Sequence, residues 1–216
     1  TPLTSIKGFA DTLLNAGDRL GKEQQKKFLS IIKNQVDRLT RLVENLLTVT
    51  KLESKKDKSI YKAVNIKELI NITVQNIQSK AQDRKITVNI LKNLPPIYAD
   101  SDKMEQIMTN LIDNAIKYSY PNTEIIISAN FAKDNPDFIE INVSNQGIGI
   151  PEEYLTSIFT KFSRIDNPLT RQVEGTGLGL YITKSLVDGM GGKISAKSNN
   201  NVTIFTVTMP VATPEK

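Results

Sequence analysis

Two glycine clusters in the C-terminal half of the chain constrain its fold most strongly. The first is Asn145-Gln-Gly-Ile-Gly-Ile150, and the second is Gly175-Thr-Gly-Leu-Gly-Leu180. Glycines at this spacing let backbone N–H groups approach a phosphate chain, and a helix beginning at the second cluster would point its positive end there. Ordinary turns also need glycine, so the clusters alone leave a nucleotide site and a pair of turns as alternatives.

The residue types that are missing exclude several kinds of chemistry. The sequence has no cysteine and no histidine. Disulfides, thiolate metal sites, histidine-ligated metals and Ser-His-Asp catalysis are therefore excluded. Any metal must be held by oxygen ligands, which favours magnesium or calcium. The net charge of +5 is modest and the lysines are scattered, so we expect no nucleic-acid partner.

The N-terminal quarter of the sequence has the pattern of two helices. Residues 1–15 and 22–53 carry apolar side chains at helical spacing, with a break at 17–21. In the longer helix the apolar residues follow steps of three and four, interrupted by Gln35; they are Phe28, Ile32, Leu39, Leu42, Leu46 and Val49. Helices of such unequal length cannot bury this stripe alone, so we expect pairing with a second copy. The alternative is a hairpin packed on the rest of the domain.

A lysine-rich segment separates this hairpin from a mixed α and β region. We interpret residues 1–54 as a helical hairpin, 55–62 as a hinge, 63–210 as an α+β domain and 211–216 as a fraying tail. Strands are predicted at 62–64, 86–90, 96–99, 124–130, 138–144, 193–198 and 202–209. Helices are predicted at 66–82, 102–119, 151–159 and 177–190, with a turn at Asn199-Asn-Asn201. No apolar run is long enough to span a bilayer, and no signal peptide is visible, so we expect no membrane contact.

The helix predicted at 102–119 carries an unusual polar stripe beside its apolar one. Asn110, Asn114 and Lys117 recur at steps of four and three, and Tyr118 follows. Met104, Ile107, Leu111 and Ala115 form the apolar stripe. The polar stripe is either a solvated helix surface or one wall of a binding site.

These segments together resemble the ATP-binding domain of sensor histidine kinases. In order along the chain, the matching motifs are Asn110-Leu-Ile-Asp-Asn-Ala-Ile-Lys-Tyr118, Asn145-Gln-Gly-Ile-Gly149, Ile158-Phe-Thr-Lys-Phe-Ser-Arg-Ile-Asp166 and Gly175-Thr-Gly-Leu-Gly179. They correspond to that family's asparagine box, first glycine box, phenylalanine box and second glycine box. The start, Thr1-Pro-Leu-Thr-Ser-Ile-Lys-Gly-Phe9, is similar to the segment directly after the phosphoacceptor histidine. The resemblance covers essentially the whole chain.

The resemblance implies an α+β fold with two parts. The C-terminal part would be a two-layer α/β sandwich of the Bergerat type, with a mixed sheet and helices on one face. An antiparallel helical hairpin that dimerises into a four-helix bundle would precede it.

The resemblance also implies a role for each matching residue. Asn114 would bind Mg²⁺ shared with ATP, and Asn110 lies one turn before it. Lys117 would neutralise phosphate charge, Tyr118 would lie against adenine, and Arg164 would reach the γ-phosphate when a flap at 159–174 closes. The other expected nucleotide contacts are Asn145, Gly147, Gly149, Ile150, Phe159, Phe162, Gly175, Thr176, Gly177, Leu178, Gly179 and Leu180.

Two positions bear on the reaction. Gyrase, heat-shock chaperone and mismatch-repair ATPases have a glutamate at the position of Asn110, where it activates water. A neutral amide cannot act as a general base, so ATP would be kept for transfer. The family's first glycine box begins with aspartate, which accepts a hydrogen bond from the adenine amine, whereas this chain has Asn145. We therefore expect weakened adenine recognition.

The reaction implied for the intact protein is transfer of the γ-phosphate of ATP to a histidine, and then to an aspartate of a response-regulator receiver domain. Because the sequence lacks histidine, we expect this chain to bind ATP without phosphorylating itself, as a cytoplasmic core truncated just after the phosphoacceptor. Thr1 resembles the family residue that orients water in the phosphatase reaction. The alternatives are a non-catalytic nucleotide-binding or dimerisation module and a serine kinase of the anti-sigma type, for which the hairpin has no obvious use.

Overall fold

The computed structural model describes residues 2–54, 59–81, 83–165 and 175–212. The chain forms two compact units, Thr1–Ser54 and Lys55–Lys216. None of the helices in the described ranges combines the length and the apolar content needed to cross a bilayer.

The first unit is a helical hairpin. Helix α1 (Pro2–Ala16) and helix α2 (Lys22–Glu53) pack against each other and are joined by a 3₁₀ turn at Gly17–Arg19. The rings of Phe9 and Phe28 lie 5.1 Å apart across the hairpin. The Gln25 side-chain amide closes the connection by donating hydrogen bonds to the Gly17 and Leu20 carbonyls at 2.6 and 3.1 Å.

Helix α2 presents a second apolar stripe to solvent. We call this the outer stripe; its members Leu29, Val36, Val43 and Leu47 are between 45% and 57% exposed. Phe28, Ile32, Leu39 and Leu42 of the stripe predicted from the sequence are half-buried. The hairpin therefore leaves an apolar surface of its long helix uncovered.

The second unit is a mixed five-stranded sheet with three helices. Its elements are β1 (Lys62–Val64), α3 (Ile66–Ala81), β2 (Lys85–Ile90), β3 (Ile97–Ala99), α4 (Ser101–Tyr118), β4 (Glu124–Ala132), β5 (Asn135–Gln146), α5 (Gly179–Gly189), β6 (Lys193–Asn199) and β7 (Val202–Pro210). The strand order is β2-β4-β5-β7-β6, and β2 pairs parallel to β4 while the other pairs are antiparallel. Strands β1 and β3 form a separate antiparallel pair.

The core lies between one face of the sheet and the helices α3, α4 and α5. Alternate side chains are buried along β4 as far as Ala129, along β5 from Ile139 onward and along the whole of β7, as expected for strands covered on one face. Strand pairing aligns these side chains in rows, one of which is Ile127, Val143 and Phe205. The next row, at the end of the sheet, is Ile125, Asn145 and Thr203, so two polar residues continue the apolar core face.

Helix α4 is the central helix of the second unit. Its predicted apolar stripe is confirmed, because Met104, Ile107, Leu111 and Ala115 are at most 1% exposed. The helix begins after Asp100, whose carboxylate accepts hydrogen bonds from the N–H groups of Asp102 and Lys103 at 3.1 and 3.2 Å. This N-cap fixes the register of the helix, and hence the positions of Asn110 and Asn114.

The structure differs from the predicted helices at two places. The segment predicted as one helix at 151–159 forms two 3₁₀ turns, Glu152–Tyr154 and Ser157–Phe159. The hydroxyls of Ser157 and Thr160 donate to carbonyls three residues earlier, which competes with helical hydrogen bonds. Helix α5 begins at Gly179 rather than Gly177, because the φ of Gly177 is +71°, outside the helical range.

The tail predicted to fray from Val211 is hydrogen bonded at its first two residues. The Val211 N–H donates to the Asp137 carbonyl and the Ala212 N–H donates to the Pro96 carbonyl, both at 2.8 Å. Val211 also forms a bridge with Ile97. The end of β7 is therefore tied to β3 and to the start of β5, and residues 213–216 lie outside the described ranges.

Candidate functional site

The first glycine cluster is attached directly to the end of helix α4. A Cβ atom at Gly147 would lie 1.8 Å from the Tyr118 carbonyl oxygen, so only glycine fits there. The Ile148 N–H donates to that carbonyl at 3.3 Å, and the Gly147 N–H donates to the Asn201 carbonyl at 2.8 Å. This close approach brings the end of β5 beside the polar stripe of α4.

The second glycine cluster is attached to α4 through Asn110. The Asn110 Nδ2 atom donates a 2.7 Å hydrogen bond to the hydroxyl of Thr183, which is 1% exposed on α5. The Asn110 side chain also packs on Gly179, the first residue of α5. Asn110 therefore fixes the start of α5 beside α4, and its amide nitrogen is the hydrogen-bond donor in this arrangement.

Among the residues that the structure describes, no side chain caps the N-terminus of α5. The Leu178 N–H donates to the hydroxyl of Thr176 at 3.2 Å. The N–H groups of Gly179, Leu180 and Tyr181 have no acceptor in the part of the chain that the structure describes. These donors and the positive end of the helix dipole make this terminus suited to an anion.

Asn114 lies one turn after Asn110 on α4 and is half-buried. Its side-chain amide makes no hydrogen bond to any residue in the described ranges. Within these ranges no group of three or more acidic side chains could hold a metal ion. The Asn114 amide oxygen is a ligand of the type that a hard cation prefers, so Asn114 is a candidate ligand at this site.

Lys117 is engaged in an ion pair with Asp113. The Lys117 Nζ atom lies 2.9 Å from Asp113 Oδ2, and Lys80 Nζ lies 3.5 Å from Asp113 Oδ1. Burial raises the pKa of the Asp113 carboxyl, but the hydrogen bonds and charges of Lys117 and Lys80 outweigh it and hold the pKa below its usual value. A phosphate group that binds the Lys117 ammonium must therefore share it with the Asp113 carboxylate.

The lowered pKa of Asp113 predicts a stability that depends on pH. A carboxyl whose folded pKa is depressed contributes stability above its unfolded pKa of about 3.9, and the contribution is lost as the pH falls through the folded pKa. We expect Asp113→Asn to reduce the free energy of unfolding by about 1 kcal/mol at pH 7 and by less below pH 4. Urea unfolding at both pH values measures this.

The control for this variant is Asp188→Asn. Asp188 forms a 2.9 Å pair with Lys184 in which both side chains are nearly half exposed, so this substitution should change stability by only a few tenths of a kcal/mol. Equal effects of the two variants, or a difference that persists at low pH, would contradict the role assigned to Asp113.

Tyr118 and Arg164 lie close enough to interact. Burial raises the pKa of the Tyr118 hydroxyl, and the positive charge of Arg164 partly offsets this effect. The Arg164 guanidinium also donates to the Gly175 carbonyl at 3.4 Å. Arg164 thus connects the phenylalanine box with both α4 and the second glycine cluster.

The two phenylalanines of the phenylalanine box have different environments. Phe159 is half-buried, and its ring meets the buried Phe205 edge to face at 6.4 Å. Phe162 is 63% exposed, and its backbone lies against Gly177, where a Cβ atom would be 2.8 Å from the Phe162 carbonyl carbon. Phe159 is therefore anchored to the core, whereas Phe162 is available to a ligand.

Asn145 lies at the inner end of the first glycine cluster and is 4% exposed. Thr203 faces it across the β5–β7 ladder, and the Thr203 hydroxyl lies 3.2 Å from the Ser198 hydroxyl. Ser198 also accepts a 2.9 Å hydrogen bond from the Ile150 N–H, and it touches the position that a Cβ atom at Gly149 would take. The first cluster is thus held against the β6–β7 hairpin by a chain of hydroxyls.

Sequence reasoning missed the partners that hold these residues. Thr183, Ser198 and Thr203 come from later elements, and their contacts depend on strand and helix pairing. Asp113 carries a signal that could have been used, because it stands four residues before Lys117 on the same helix. Thr1 and residues 166–174 of the expected flap lie outside the described residues.

Comparisons with known proteins assign this arrangement to a family. Residues 99–213 match the family model described as histidine kinase-, DNA gyrase B- and HSP90-like ATPase. Residues 1–55 match the His Kinase A (phospho-acceptor) domain.

Among curated proteins, the sensor histidine kinase WalK of Bacillus subtilis is 31% identical over 215 residues, covering 97% of this chain and 34% of WalK. The chain therefore spans about a third of the length of that relative.

Two solved histidine kinase structures have the same fold. The histidine kinase ThkA, in complex with the response regulator protein TrrA, has a TM-score of 0.78 at 26% identity, covering 98% of this chain and 58% of that one. Full-length ShkA in complex with AMPPNP has a TM-score of 0.75 at 24% identity, covering 100% of this chain and 44% of that one. The chain belongs to the histidine kinase-, gyrase B- and HSP90-like ATPases, and within that family to the sensor histidine kinases.

Proposed function

We propose that this chain binds Mg-ATP between α4, the first glycine cluster and the N-terminus of α5, and that the intact protein transfers the γ-phosphate to a histidine. The observation that carries the proposal is the pairing of Asn110 with Thr183, because it sets an uncapped helix N-terminus beside the Asn114 amide. Anion donors and an oxygen ligand for a cation then meet at one place.

Each wall of the site has a distinct role in this proposal. Adenine lies by Asn145, with Gly147, Gly149 and Ile150 on one side and Tyr118 on the other. The triphosphate lies at the second glycine cluster, residues 175–180, where the N–H groups of Gly179 and Leu180 bind it. Lys117 and Arg164 neutralise the phosphate charge, and Phe159 and Phe162 belong to the first part of the flap.

A magnesium ion fits the donor set of this site. Asn114 would supply the protein ligand, and the triphosphate and water would supply the others. When bound, the ion neutralises phosphate charge and orients the γ-phosphate. Because position 110 is an asparagine, it cannot act as the general base for hydrolysis, which supports transfer to an acceptor side chain.

The experiment that tests the proposed function supplies an acceptor histidine. The resemblance places the phosphoacceptor histidine four residues before Thr1, with an acidic residue directly after it. A version of the chain extended at its N-terminus by four residues, histidine first and glutamate second, should incorporate acid-labile phosphate from γ-labelled ATP, whereas the chain as it stands should not. An extension with alanine in place of histidine is the control. Label on the original chain, or none on the histidine version despite tight ATP binding, would contradict the proposal.

We also propose that the hairpin, residues 1–54, forms a homodimer through the outer stripe and that residues 55–62 act as a hinge to an ATP-binding domain at 63–210. Leu29, Val36 and Val43 recur every seven residues along α2, which is the spacing of a helical bundle interface. Two hairpins packed in this way give a four-helix bundle.

Dimerisation predicts a large effect of a charge in the outer stripe. Val43→Glu should raise the dimer dissociation constant at least about tenfold, because it buries a carboxylate in an apolar interface. Sedimentation equilibrium measures this. Asn34→Glu, on an exposed position of the opposite side of α2, adds the same charge and should leave the constant unchanged. Equal constants for Val43→Glu and the unaltered chain would contradict the assignment.

The partner that accepts the phosphate onward is expected to be a response-regulator receiver domain. The complex of ThkA with TrrA supports this by family relation. In this proposal Thr1 orients water for the reverse phosphatase reaction, and the core works in the cytoplasm. A second candidate, a nucleotide-binding module without catalysis, is favoured by Asn145 and by the absence of histidine from the sequence. The histidine-extended version decides between the two candidates.

A further inference from the structure

Asn145 occupies a position that is unusual for an amide. It is 4% exposed, it lies in the last row of the core face of the sheet, and its side chain makes no hydrogen bond to the described residues. Among the described residues, Arg84 Nε is the buried side-chain polar atom without a partner, so the amide atoms of Asn145, which also lack one, keep contact with solvent. The proposed function gives it a partner, because the nucleobase lies at this end of the sheet.

The amide can present either of two hydrogen-bonding groups to that nucleobase. The amide oxygen accepts a hydrogen bond and the amide nitrogen donates one. A rotation of the amide group by 180° exchanges the positions of these two atoms without changing the shape of the side chain. Since no described residue bonds to the Asn145 amide, nothing in these ranges selects one orientation. A carboxylate at the same position could only accept.

This difference matters at the C6 position of a purine. Adenine carries an amine there, which donates, and guanine carries a carbonyl, which accepts. A carboxylate therefore binds the adenine edge and repels the guanine edge. Asn145 can accept from the adenine amine in one orientation and donate to the guanine carbonyl in the other.

The hydroxyl groups of Thr203 and Ser198 can likewise act either as hydrogen-bond donors or as acceptors. Thr203 is paired with Asn145 across the ladder and is 5% exposed. Either hydroxyl of the Thr203–Ser198 pair can be the donor. When Ser198 donates, the Thr203 proton is available to N1 of adenine; when Thr203 donates, its oxygen is available to the N1–H of guanine.

We propose that Asn145, with Thr203 and Ser198 behind it, gives this site relaxed purine selectivity, so that it binds Mg-GTP as well as Mg-ATP. The inference rests on the proposed function, since it assumes that the nucleobase lies against Asn145. It specifies the substrate class as 6-amino and 6-oxo purine nucleoside triphosphates.

Calorimetry with Mg-ATP and Mg-GTP on the full chain tests the inference. We expect the two dissociation constants to differ by less than about tenfold for the unaltered chain. Asn145→Asp should tighten ATP binding and weaken GTP binding, so that the ratio of the constants changes at least about 30-fold in favour of ATP. Asn89→Asp, at an exposed position of β2, adds the same charge and should leave the ratio unchanged.

The outcomes separate the two proposals. Tight ATP binding with GTP more than about 100-fold weaker in the unaltered chain overturns the inference and leaves the proposed function standing. If the unaltered chain binds neither Mg-ATP nor Mg-GTP, both the inference and the proposed function are overturned. An Asn145→Asp variant that shifts both affinities equally also overturns the inference. The ratio of the two dissociation constants in the unaltered chain tests the relaxed selectivity even where the Asn145→Asp variant does not fold. Thr203→Val, which keeps the shape of the side chain, should weaken the binding of both nucleotides.

Discussion

Replacing Asn114 by alanine is expected to weaken the binding of Mg-ATP about 100-fold and to leave the fold of the domain intact. The loss is large because the amide oxygen is the proposed protein ligand of the ion that neutralises the triphosphate. The fold should survive because the Asn114 side chain makes no hydrogen bond to the described residues, and alanine is the most favourable helix former.

The measurement is calorimetry of ATP binding with magnesium and with a chelator. For the unaltered chain, removing magnesium should weaken binding strongly, whereas for Asn114→Ala the two conditions should give nearly the same affinity. Gln106→Ala is the matched control, because it removes an amide from an exposed position on the same helix. If Asn114→Ala keeps both its affinity and its magnesium dependence, the ion is not held by Asn114.

Helices and strands were predictable where a single local sequence pattern, such as regular apolar spacing or a glycine at a boundary, was strong. The bounds of α2 and β1 agree with the predicted ones because a glycine precedes α2 and the lysine-rich segment before β1 lacks apolar periodicity. The buried stripe of α4 followed from spacing alone. The segment 151–159 was predicted wrongly because serine and threonine hydroxyls bond locally to the backbone, and such bonds leave no periodic signal.

The site was less predictable than the fold, because its geometry depends on contacts between distant parts of the sequence. The resemblance indicated Asn110, but its partner Thr183 stands 73 residues later. The position of Thr203 beside Asn145 depends on the register of β5 and β7, which one sequence does not fix. The resemblance also indicated Lys117 as a residue that neutralises phosphate charge. The ion pair of Lys117 with Asp113 could have been predicted as well, from the four-residue spacing of the two side chains on one helix.

The contact between Gly147 and Tyr118 predicts the largest effect on stability. Gly147→Ala is expected to lower the free energy of unfolding of the second unit by about 3 kcal/mol or more, since the added Cβ would lie 1.8 Å from the Tyr118 carbonyl oxygen and 2.8 Å from its carbon. The obstacle is backbone, which cannot rotate away as a side chain can. Urea unfolding with a probe on the second unit measures the loss.

Relaxation of the backbone cannot remove this clash cheaply. The Gly147 N–H is bonded to the Asn201 carbonyl and the Ile148 N–H to the Tyr118 carbonyl, so moving the cluster away from α4 breaks both hydrogen bonds. Any such movement also displaces the first glycine cluster from Tyr118, so a Gly147→Ala chain that remains folded should bind ATP weakly. Gly189→Ala is the control, because no atom lies within 4 Å of the position of its Cβ, and it should leave both stability and affinity nearly unchanged. Equal unfolding midpoints for the two variants would show that the end of α4 does not constrain the first glycine cluster.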